Sequence, residues 1–408
     1  MNRPLNVLLV SQPTSYGVGI CVRDLTQAAV AAGHRVTVVS PDSTHGPLAG
    51  WIVAAGARHI PLNMARTPSL RDLSDLLAIR RLSRGRDVVH LHSSKAGALG
   101  RVAAMSFGRR HRPAVVFTAH YWSWLVGGRW ARLYRWIEQV LARRCDAIVA
   151  VSDGEAEEGR AVLGARAPLR SIPNGVDRDR FSPIGDRADR AEEVPLIVCV
   201  GRLSEQKGQD VAIRALALLD DRTARLRLVG DESGHGERAR LDALAASLGV
   251  ADRIEWRGGV DTTAPEYRAA DLVVAPSRWD GLSLALLEGM ACGAAIVASE
   301  VNGSECLGEA GRIVPPDDPE SLAEAVAGLL ESPLERARLG QAARERSRSF
   351  DLATTMERNL DLWSGLAARA AGGRGAAATK AVARAEAEAD GGAEAGEGAA
   401  RWTNTSTS

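Results

Sequence analysis

The chain has few cysteines, and none is arranged for a structural task. Cys21, Cys145, Cys199, Cys292 and Cys306 are odd in number, form no CxxC pair and have no histidine at metal spacing. That argues against a disulfide framework or a zinc site and for reduced thiols in a cytosolic compartment. Long apolar runs are missing as well: no stretch approaches the ~20 residues needed to span a bilayer. The opening segment MNRPLNVLLVSQ holds an apolar run of about five residues, short of a signal h-region. The expectation is a cytoplasmic protein, soluble or peripheral at the inner face of the cell membrane. Neither opening strand is followed by GxGxxG with an acid ~20 residues on, which disfavours a nicotinamide dehydrogenase. GxxxxGK[ST] is absent, and no recognition motif points to nucleic acid as a partner.

What is present suits two domains and a tail. A chain of 408 residues, 45% hydrophobic and 25% charged, is an ordinary globular composition too long for one core. The net charge of +1 conceals an asymmetry: residues 1–180 carry 25 Lys and Arg against 13 Asp and Glu, and residues 181–408 carry 26 against 37. A basic half and an acidic half suggest different partners for each. Apolar strands at Leu5–Val10, Arg35–Val39, Val88–Leu91, Val115–Thr118 and Ala147–Val151 alternate with helical patterns. Residues 182–194 are polar and unpatterned, and read as a linker. The scheme then restarts with strands at Leu196–Val200, Leu226–Val229, Ile254–Arg257, Leu272–Ala275, Ala295–Ala298 and Arg312–Val314. Such alternation predicts an α/β fold of two Rossmann-like, doubly wound parallel sheets, over residues 1–181 and 195–351. A helix over 352–369 places Leu352, Met356, Leu360 and Trp363 on one side, and residues 370–408 read as disordered. Ligands are expected at the carboxyl ends of the strands, in the cleft between the units.

Two segments carry chemistry. Between Asp280 and Glu300 the one charged side chain is Glu288, in an apolar helix. A buried carboxylate needs a partner, and either a distant arginine or a pair of ribose hydroxyls meets that need. The same helix, opening near Leu282, points free N–H groups and its positive end at the cleft, which suits a diphosphate. Gly201–Gly208 lies between a strand and a helix, with Arg202 and Lys207 inside two flanking glycines. Such a loop grips phosphate, although arginine and lysine in a surface loop are more often simply solvated.

These segments and four others resemble the motifs of retaining family-4 glycosyltransferases of the GT-B fold. Pro276–Ser299 resembles their EX7E region, Gly201–Gly208 their GR…KG loop, and Ile172-Pro173-Asn174-Gly175-Val176-Asp177 their IPNGVD signature. Val151-Ser152-Asp153, Phe117-Thr118-Ala119-His120 and Gly17-Val18-Gly19 match the VS step, the central histidine and the N-terminal glycine loop. All six occur in the family's order between Tyr16 and Glu305. The resemblance implies that Arg202 and Lys207 bind the donor diphosphate and stabilise it as it leaves. Glu288 would hold the ribose, and Asp280 hydroxyls of the transferred sugar, with the amides of Gly281, Leu282, Ser283 and Leu284 nearby. Gly17 and Gly19 would let the first helix approach the β-phosphate, and His120 would sit at the sugar. It also implies front-face substitution without a protein nucleophile, from a nucleotide-diphosphate sugar and with no cofactor. Asp177-Arg178-Asp179 formally matches the DxD metal motif of another fold, but its place at the domain boundary makes it linker chemistry, and no catalytic metal is expected. Three departures touch the donor-sugar pocket: Asp280 stands where the family usually has Glu, Ser283 where it has Gly, and Asn302-Gly303-Ser304-Glu305 copies GGxxE poorly.

The acceptor side is less marked. Residues 101–144 hold nine arginines against one acid, Glu138. Arg129–Arg144 reads as a helix with Trp130, Leu133, Tyr134, Ile137, Val140 and Leu141 on one face, while Trp122, Trp124 and Trp136 crowd the same region. That composition suits an anionic membrane surface, and equally a core helix with a solvated basic face. His92-Ser93-Ser94-Lys95-Ala96-Gly97 resembles a stretch of family members that extend polyprenyl-diphosphate-linked sugars. The acceptor would then be a glycan or a polyprenyl-diphosphate-linked sugar, with Lys95 and Asn174 as acceptor residues. A nucleotide-sugar epimerase on the same fold and a non-catalytic glycosyltransferase-like subunit are the competing readings.

Overall fold

The computed structural model describes residues 3–65, 69–108, 112–126, 128–190, 194–221, 223–232 and 236–370. The N-terminal unit is a seven-stranded parallel sheet of β1 (Asn6–Ser11), β2 (Arg35–Ser40), β3 (Arg58–Pro61), β4 (Val88–His92), β5 (Ala114–Thr118), β6 (Ala147–Ala150) and β7 (Leu169–Ser171), in the order 3-2-1-4-5-6-7. Its helices are α1 (Tyr16–Ala31), α2 (Leu48–Ala54), α3 (Asp72–Ser83), α4 (Ser94–Met105), α5 (Ser123–Val126), α6 (Ala131–Ala142) and α7 (Asp153–Leu163). The C-terminal unit is a six-stranded parallel sheet of β8 (Leu196–Val200), β9 (Arg225–Val229), β10 (Ile254–Gly258), β11 (Leu272–Ala275), β12 (Ile296–Ser299) and β13 (Arg312–Val314), in the order 10-9-8-11-12-13. Around it lie α8 (Gln209–Leu218), α9 (Glu237–Ser247), α10 (Ala264–Ala269), α11 (Leu284–Ala291), α12 (Pro319–Glu331) and α13 (Pro333–Arg346). Short β3 and β7, at the two edges, and α13 lack the apolar runs that announce the other elements.

Central strands are apolar throughout because helices cover both faces. In β1, Val7, Leu8, Leu9 and Val10 are all fully buried, in register with β2 on one side and β4 on the other. The strand order reverses between β1 and β4, and again between β8 and β11. The turns that leave β1, β8 and β11 therefore open into crevices at the carboxyl ends of the sheets.

The chain crosses between the units twice. Val176 N–H donates to the Phe350 carbonyl and Leu352 N–H to the Val176 carbonyl, so the outgoing and returning strands lie side by side. Residues 352–370 are helical and return to the N-terminal unit, where Trp363, Leu366 and Ala367 join the core that holds Leu5, Val7 and Leu9. The expected linker is not a free tether over its described part: Arg268 donates to the Ser182 and Asp186 carbonyls and Arg190 to that of Ala269, fastening it to α10. Of the tail expected to be disordered over 370–408, Ala370 still belongs to this helix and residues 371–408 lie outside the described residues.

The basic stretch is corrected in two respects. Trp122 and Trp124 do not face outward: they stack at 4.5 Å between ring centroids, buried, with Nε1 of Trp122 donating to the Glu155 carbonyl and Nε1 of Trp124 to Glu158 Oε1. Arg101 is fully buried, forked onto Glu138 at 2.7 and 2.9 Å, with its guanidinium 3.9 Å from the Phe117 ring centroid. Leu141, assigned to the apolar face of α6, is also core. What remains exposed along this helix is Trp130, Leu133, Trp136 and Val140, flanked by Arg129, Arg132, Arg135 and Arg143.

Candidate active site

A cleft of about 2470 Å³ separates the two sheets and is lined from both. Such a volume exceeds the ~300–1,000 Å³ of a single small-molecule pocket and leaves room for two substrates. Its C-terminal wall is built by the loops after β8, β9 and β11. Gly208, at φ 63°, ends the Gly201–Gly208 loop; a Cβ there would stand 2.0 Å from the Pro276 carbonyl oxygen, so only glycine lets the β8 and β11 loops touch. Arg278 pins the contact from outside, forked onto Asp210 at 2.9 and 2.8 Å and donating to the Glu205 carbonyl.

Within that frame the predicted donor residues converge. Lys207 Nζ lies 2.5 Å from Asp280 Oδ2, and both side chains are largely buried. Arg202 donates to Gln206 Oε1, and Gln206 Nε2 donates to the Trp279 carbonyl, which ties the two loops again. Helix α11 follows directly: Ser283 is its N-cap and makes no side-chain cap hydrogen bond, so the first-turn amides after Gly281 and Leu282, from Leu284 on, are left for a ligand. One turn further, Glu288 Oε2 accepts from Thr263 Oγ1 at 2.8 Å and from the Tyr267 hydroxyl at 3.3 Å. Its partner is therefore neither the distant arginine nor a ligand alone, but two hydroxyls that aim it. Burial pushes the Glu288 carboxyl up to about 7, against the pull of those two hydrogen bonds.

The N-terminal wall brings α1 and the ends of β4 and β5. Gly19 packs on the Thr14 backbone, where a Cβ would stand at 2.9 Å, whereas nothing lies within 4 Å of a Cβ at Gly17, which lines the cleft. Tyr16 reaches across, its hydroxyl donating to the Asp231 carbonyl at 3.3 Å and its ring 5.6 Å from the Arg202 guanidinium carbon. His120, at φ 59°, lines the cleft with its carbonyl against Gly281, and burial pushes its imidazole down to about 4. Lys95 lies further along the same wall, paired with Asp72 at 2.7 Å. Both lysines among the described residues, Lys95 and Lys207, stand in this cleft, which sets them apart from the many solvated arginines.

Asn174 lines the cleft and also ties the two units together. Its Nδ2 donates to the Leu282 carbonyl at 2.8 Å and its Oδ1 faces the Cys21 thiol, so the amide is engaged in holding α11 to the N-terminal unit. Glu305 makes a parallel tie, accepting from the Gly154 N–H at the start of α7. Asp177 Oδ1 accepts from the N–H groups of Asp179 and Arg180 and closes a turn. Among the described residues no three His, Cys, Asp or Glu side chains are grouped to hold a metal.

Sequence reasoning did not find Tyr16, Gln206, Thr263, Tyr267 or Asp231. Asp231 was within reach, since Gly230-Asp231-Glu232 follows a central strand at its carboxyl end. Thr263 and Tyr267 belong to no motif; they are known by what they touch.

Two doubly wound parallel sheets with a cleft between them define a two-domain protein of the GT-B architecture. Residues 16–180 match the model of Glycosyltransferase Family 4 and residues 194–332 that of Glycosyl transferases group 1. A D-inositol 3-phosphate glycosyltransferase of Nocardiopsis dassonvillei is 34% identical over 68% of this chain and 70% of its own length. A second protein of that name, from Catenulispora acidiphila, is 36% identical over 56% of this chain and 58% of its own length. The chain belongs to the family-4, group-1 glycosyltransferases, and is a glycosyltransferase. Solved structures repeat the fold: sucrose-phosphate synthase of Thermosynechococcus elongatus has TM-score 0.78 at 24% identity, covering 90% of this chain and 100% of that one. Anabaena Alr3699/HepE, in complex with UDP-glucose, has TM-score 0.76 at 20% identity, covering 88% and 100%.

Proposed function

We propose that the protein transfers a hexose or N-acetylhexosamine, with retention of configuration, from a nucleotide-diphosphate sugar to a phosphate-bearing acceptor in cell-surface glycoconjugate synthesis. The observation that carries the donor half is the meeting of Arg202, Lys207, the open first turn of α11 and Glu288 along one wall. Diphosphate lies between the two cations and the helix terminus, and the ribose diol meets Glu288, whose second oxygen is left for it. Asp280 holds hydroxyls of the transferred sugar, and donor binding draws Lys207 from Asp280 towards the phosphates. As the bond to the anomeric carbon breaks, charge develops on the leaving phosphate, where these donors are already aimed. The leaving phosphate assists deprotonation of the acceptor hydroxyl, and no protein nucleophile takes part.

Lys95 marks the acceptor's place. A phosphate there, on a small molecule as in the name of the Nocardiopsis relative or on a lipid carrier, would draw Lys95 from Asp72. The exposed row on α6 favours the lipid. Trp130, Tyr134 and Ile137 line the cleft, and Leu133, Trp136 and Val140 continue the apolar surface outward between arginines, as docking on an anionic bilayer requires. Among the described residues no helix is long and apolar enough to cross a membrane, so contact is from one side.

Thermal shift with a panel of nucleotide sugars tests the donor half, because a ligand that binds only the folded state raises Tm by mass action. Glu288→Ala should abolish most of the shift given by the bare nucleoside diphosphate, while Asp280→Ala keeps it. Equal shifts in both variants would sink the assignment.

A further inference from the structure

His120 has two histidines behind it that the reaction above does not use. His90 lies in the middle of β4 and His92 ends it, both buried. Trp363 Nε1, on the returning C-terminal helix, donates to His90 Nδ1 at 3.2 Å. An indole N–H only donates, so His90 Nδ1 is bare and its proton sits on Nε2, 2.7 Å from Thr118 Oγ1. His90 is thus pinned as one tautomer. His92 Nδ1 lies 3.0 Å from His120 Nε2, with ring centroids 5.3 Å apart. The other nitrogen, His92 Nε2, is buried and has no partner. The backbone also departs from ease at this point: Ser93 (φ 73°) and His120 (φ 59°), one just past each strand end, occupy the left-handed region without being glycine.

We propose that His92 is the positioning residue of His120, setting which ring nitrogen His120 presents to the donor sugar. Two neutral imidazoles that meet nitrogen to nitrogen share one proton. If His120 gave it, His92 would carry its own proton on Nε2, a buried N–H aimed at no acceptor. If His92 gives it, Nε2 is a bare acceptor, which is the less costly group to leave short. The second arrangement holds: His92 Nδ1–H donates to His120 Nε2, and His120 carries its proton on Nδ1. His120 then meets the sugar as a hydrogen-bond donor, fixed in orientation by the bond behind it. Burial, which keeps all three imidazoles neutral at pH 7, maintains the arrangement.

The inference rests on His120 facing the donor, yet the tautomer is measurable without substrate. Long-range proton–nitrogen correlation on the full chain labelled with ¹⁵N-histidine should show His120 protonated on Nδ1 in wild type. His92→Phe should shift it to the Nε2-protonated form, while His92→Asn, whose amide N–H sits near the lost Nδ1, should restore Nδ1. The His90 signal, held by Trp363, reports that the core has survived each change. With the donor selected by thermal shift, His92→Phe should lower kcat about 10- to 100-fold with KM nearly unchanged, and His92→Asn should recover most of that. An unchanged His120 tautomer in His92→Phe, or an Asn variant as impaired as Phe, overturns the proposal. A tautomer shift in a protein that transfers no sugar would instead remove the donor reading and leave the positioning intact.

Discussion

The two halves of this protein solve opposite problems in recognition. The acidic C-terminal half gathers its cations inward, holding Arg202 and Lys207 in place through Gln206 and Asp280 before any donor arrives. The basic N-terminal half spends part of its charge on structure: Arg101 is buried on Glu138, Arg112 meets Asp146, and Lys95 meets Asp72. What it leaves outside is a row of arginines around exposed tryptophan and leucine. Net charge thus misleads on both sides, because the proposed anion site lies in the half with the acidic total.

The largest effect should come from breaking the inward set. Lys207→Ala removes a preorganised charge at the leaving phosphate, and losses of about 10²–10³ in kcat are typical for one such donor. It also leaves Asp280 without its partner, so Lys207→Ala/Asp280→Asn should unfold at a higher temperature than Lys207→Ala while remaining at least as slow. Recovery of turnover in the double variant would show that Lys207 serves only to neutralise Asp280. Steady-state rates with melting curves on the same samples decide between the two.

A buried acid in the N-terminal half gives the next effect, on stability. Glu155 is fully buried, with Oε2 accepting from the Val151 N–H and Oε1 unpartnered. Burial pushes its carboxyl up to about 7. A carboxyl raised from an ordinary value near 4.5 carries no penalty below that value. As pH rises through 4.5 the unfolded state ionises first, and stability falls until the folded group ionises near 7. Glu155→Gln keeps the acceptor for Val151 and cannot ionise, so it should gain on wild type between pH 5 and pH 8 by roughly 2–3 kcal/mol. Chemical denaturation at both pH values measures the gain; an equal difference at pH 5 and 8 would mean that Glu155 is ionised throughout.

How far the sequence carried the reading differs between the halves for the same reason. Lys207, Asp280 and Glu288 lie on loops and a helix whose short-range motifs resemble those of the family, and it was that resemblance, with Glu288 alone standing out by its apolar surroundings, that brought them together. Trp122 and Trp124 belong to the same run as Trp130 and Trp136, and nothing local separates core from surface there; the separation is made by α7, whose Glu155 and Glu158 receive the indole N–H groups. Asn174 was legible as a motif residue but not as a tie, because Leu282 lies in the other unit. Thr263 and Tyr267 were silent, since hydroxyls on a one-and-a-half-turn helix carry no periodicity. Strands β3 and β7 were silent too, four and three residues long at sheet edges.

Membrane docking sharpens the comparison from the outer side. Each arginine near an anionic leaflet contributes on the order of 1 kcal/mol, and screening shortens to roughly 3 Å at 1 M salt. Wild type should cosediment with vesicles containing anionic lipid, less so in high salt, and Trp136→Ser/Arg132→Glu/Arg135→Glu should lose about tenfold or more in affinity. Turnover on a short soluble acceptor should hardly change in that variant. Binding indifferent to lipid charge and salt would leave the α6 row without this partner.

The smallest effect expected is none at all, on chelation. A transferase that neutralises its leaving diphosphate with a bound divalent ion loses activity when the ion is withdrawn. Here Arg202, Lys207 and the open first turn of α11 already bring positive charge to one wall, and the acid nearest them, Asp280, is engaged by Lys207 rather than standing open. Asp177, the first acid of the DxD-like triplet, is occupied in closing its own turn. Activity in millimolar EDTA should therefore match the untreated enzyme within error, with donor KM unchanged. Loss on chelation restored by Mg²⁺ or Mn²⁺ would show that the protein cations do not suffice. It would move the search for the missing charge to Asp280 itself, released from Lys207 when the donor binds. Lys207→Ala should then become more dependent on added metal than wild type, and its kcat against Mg²⁺ concentration would separate a shared task from a substituted one.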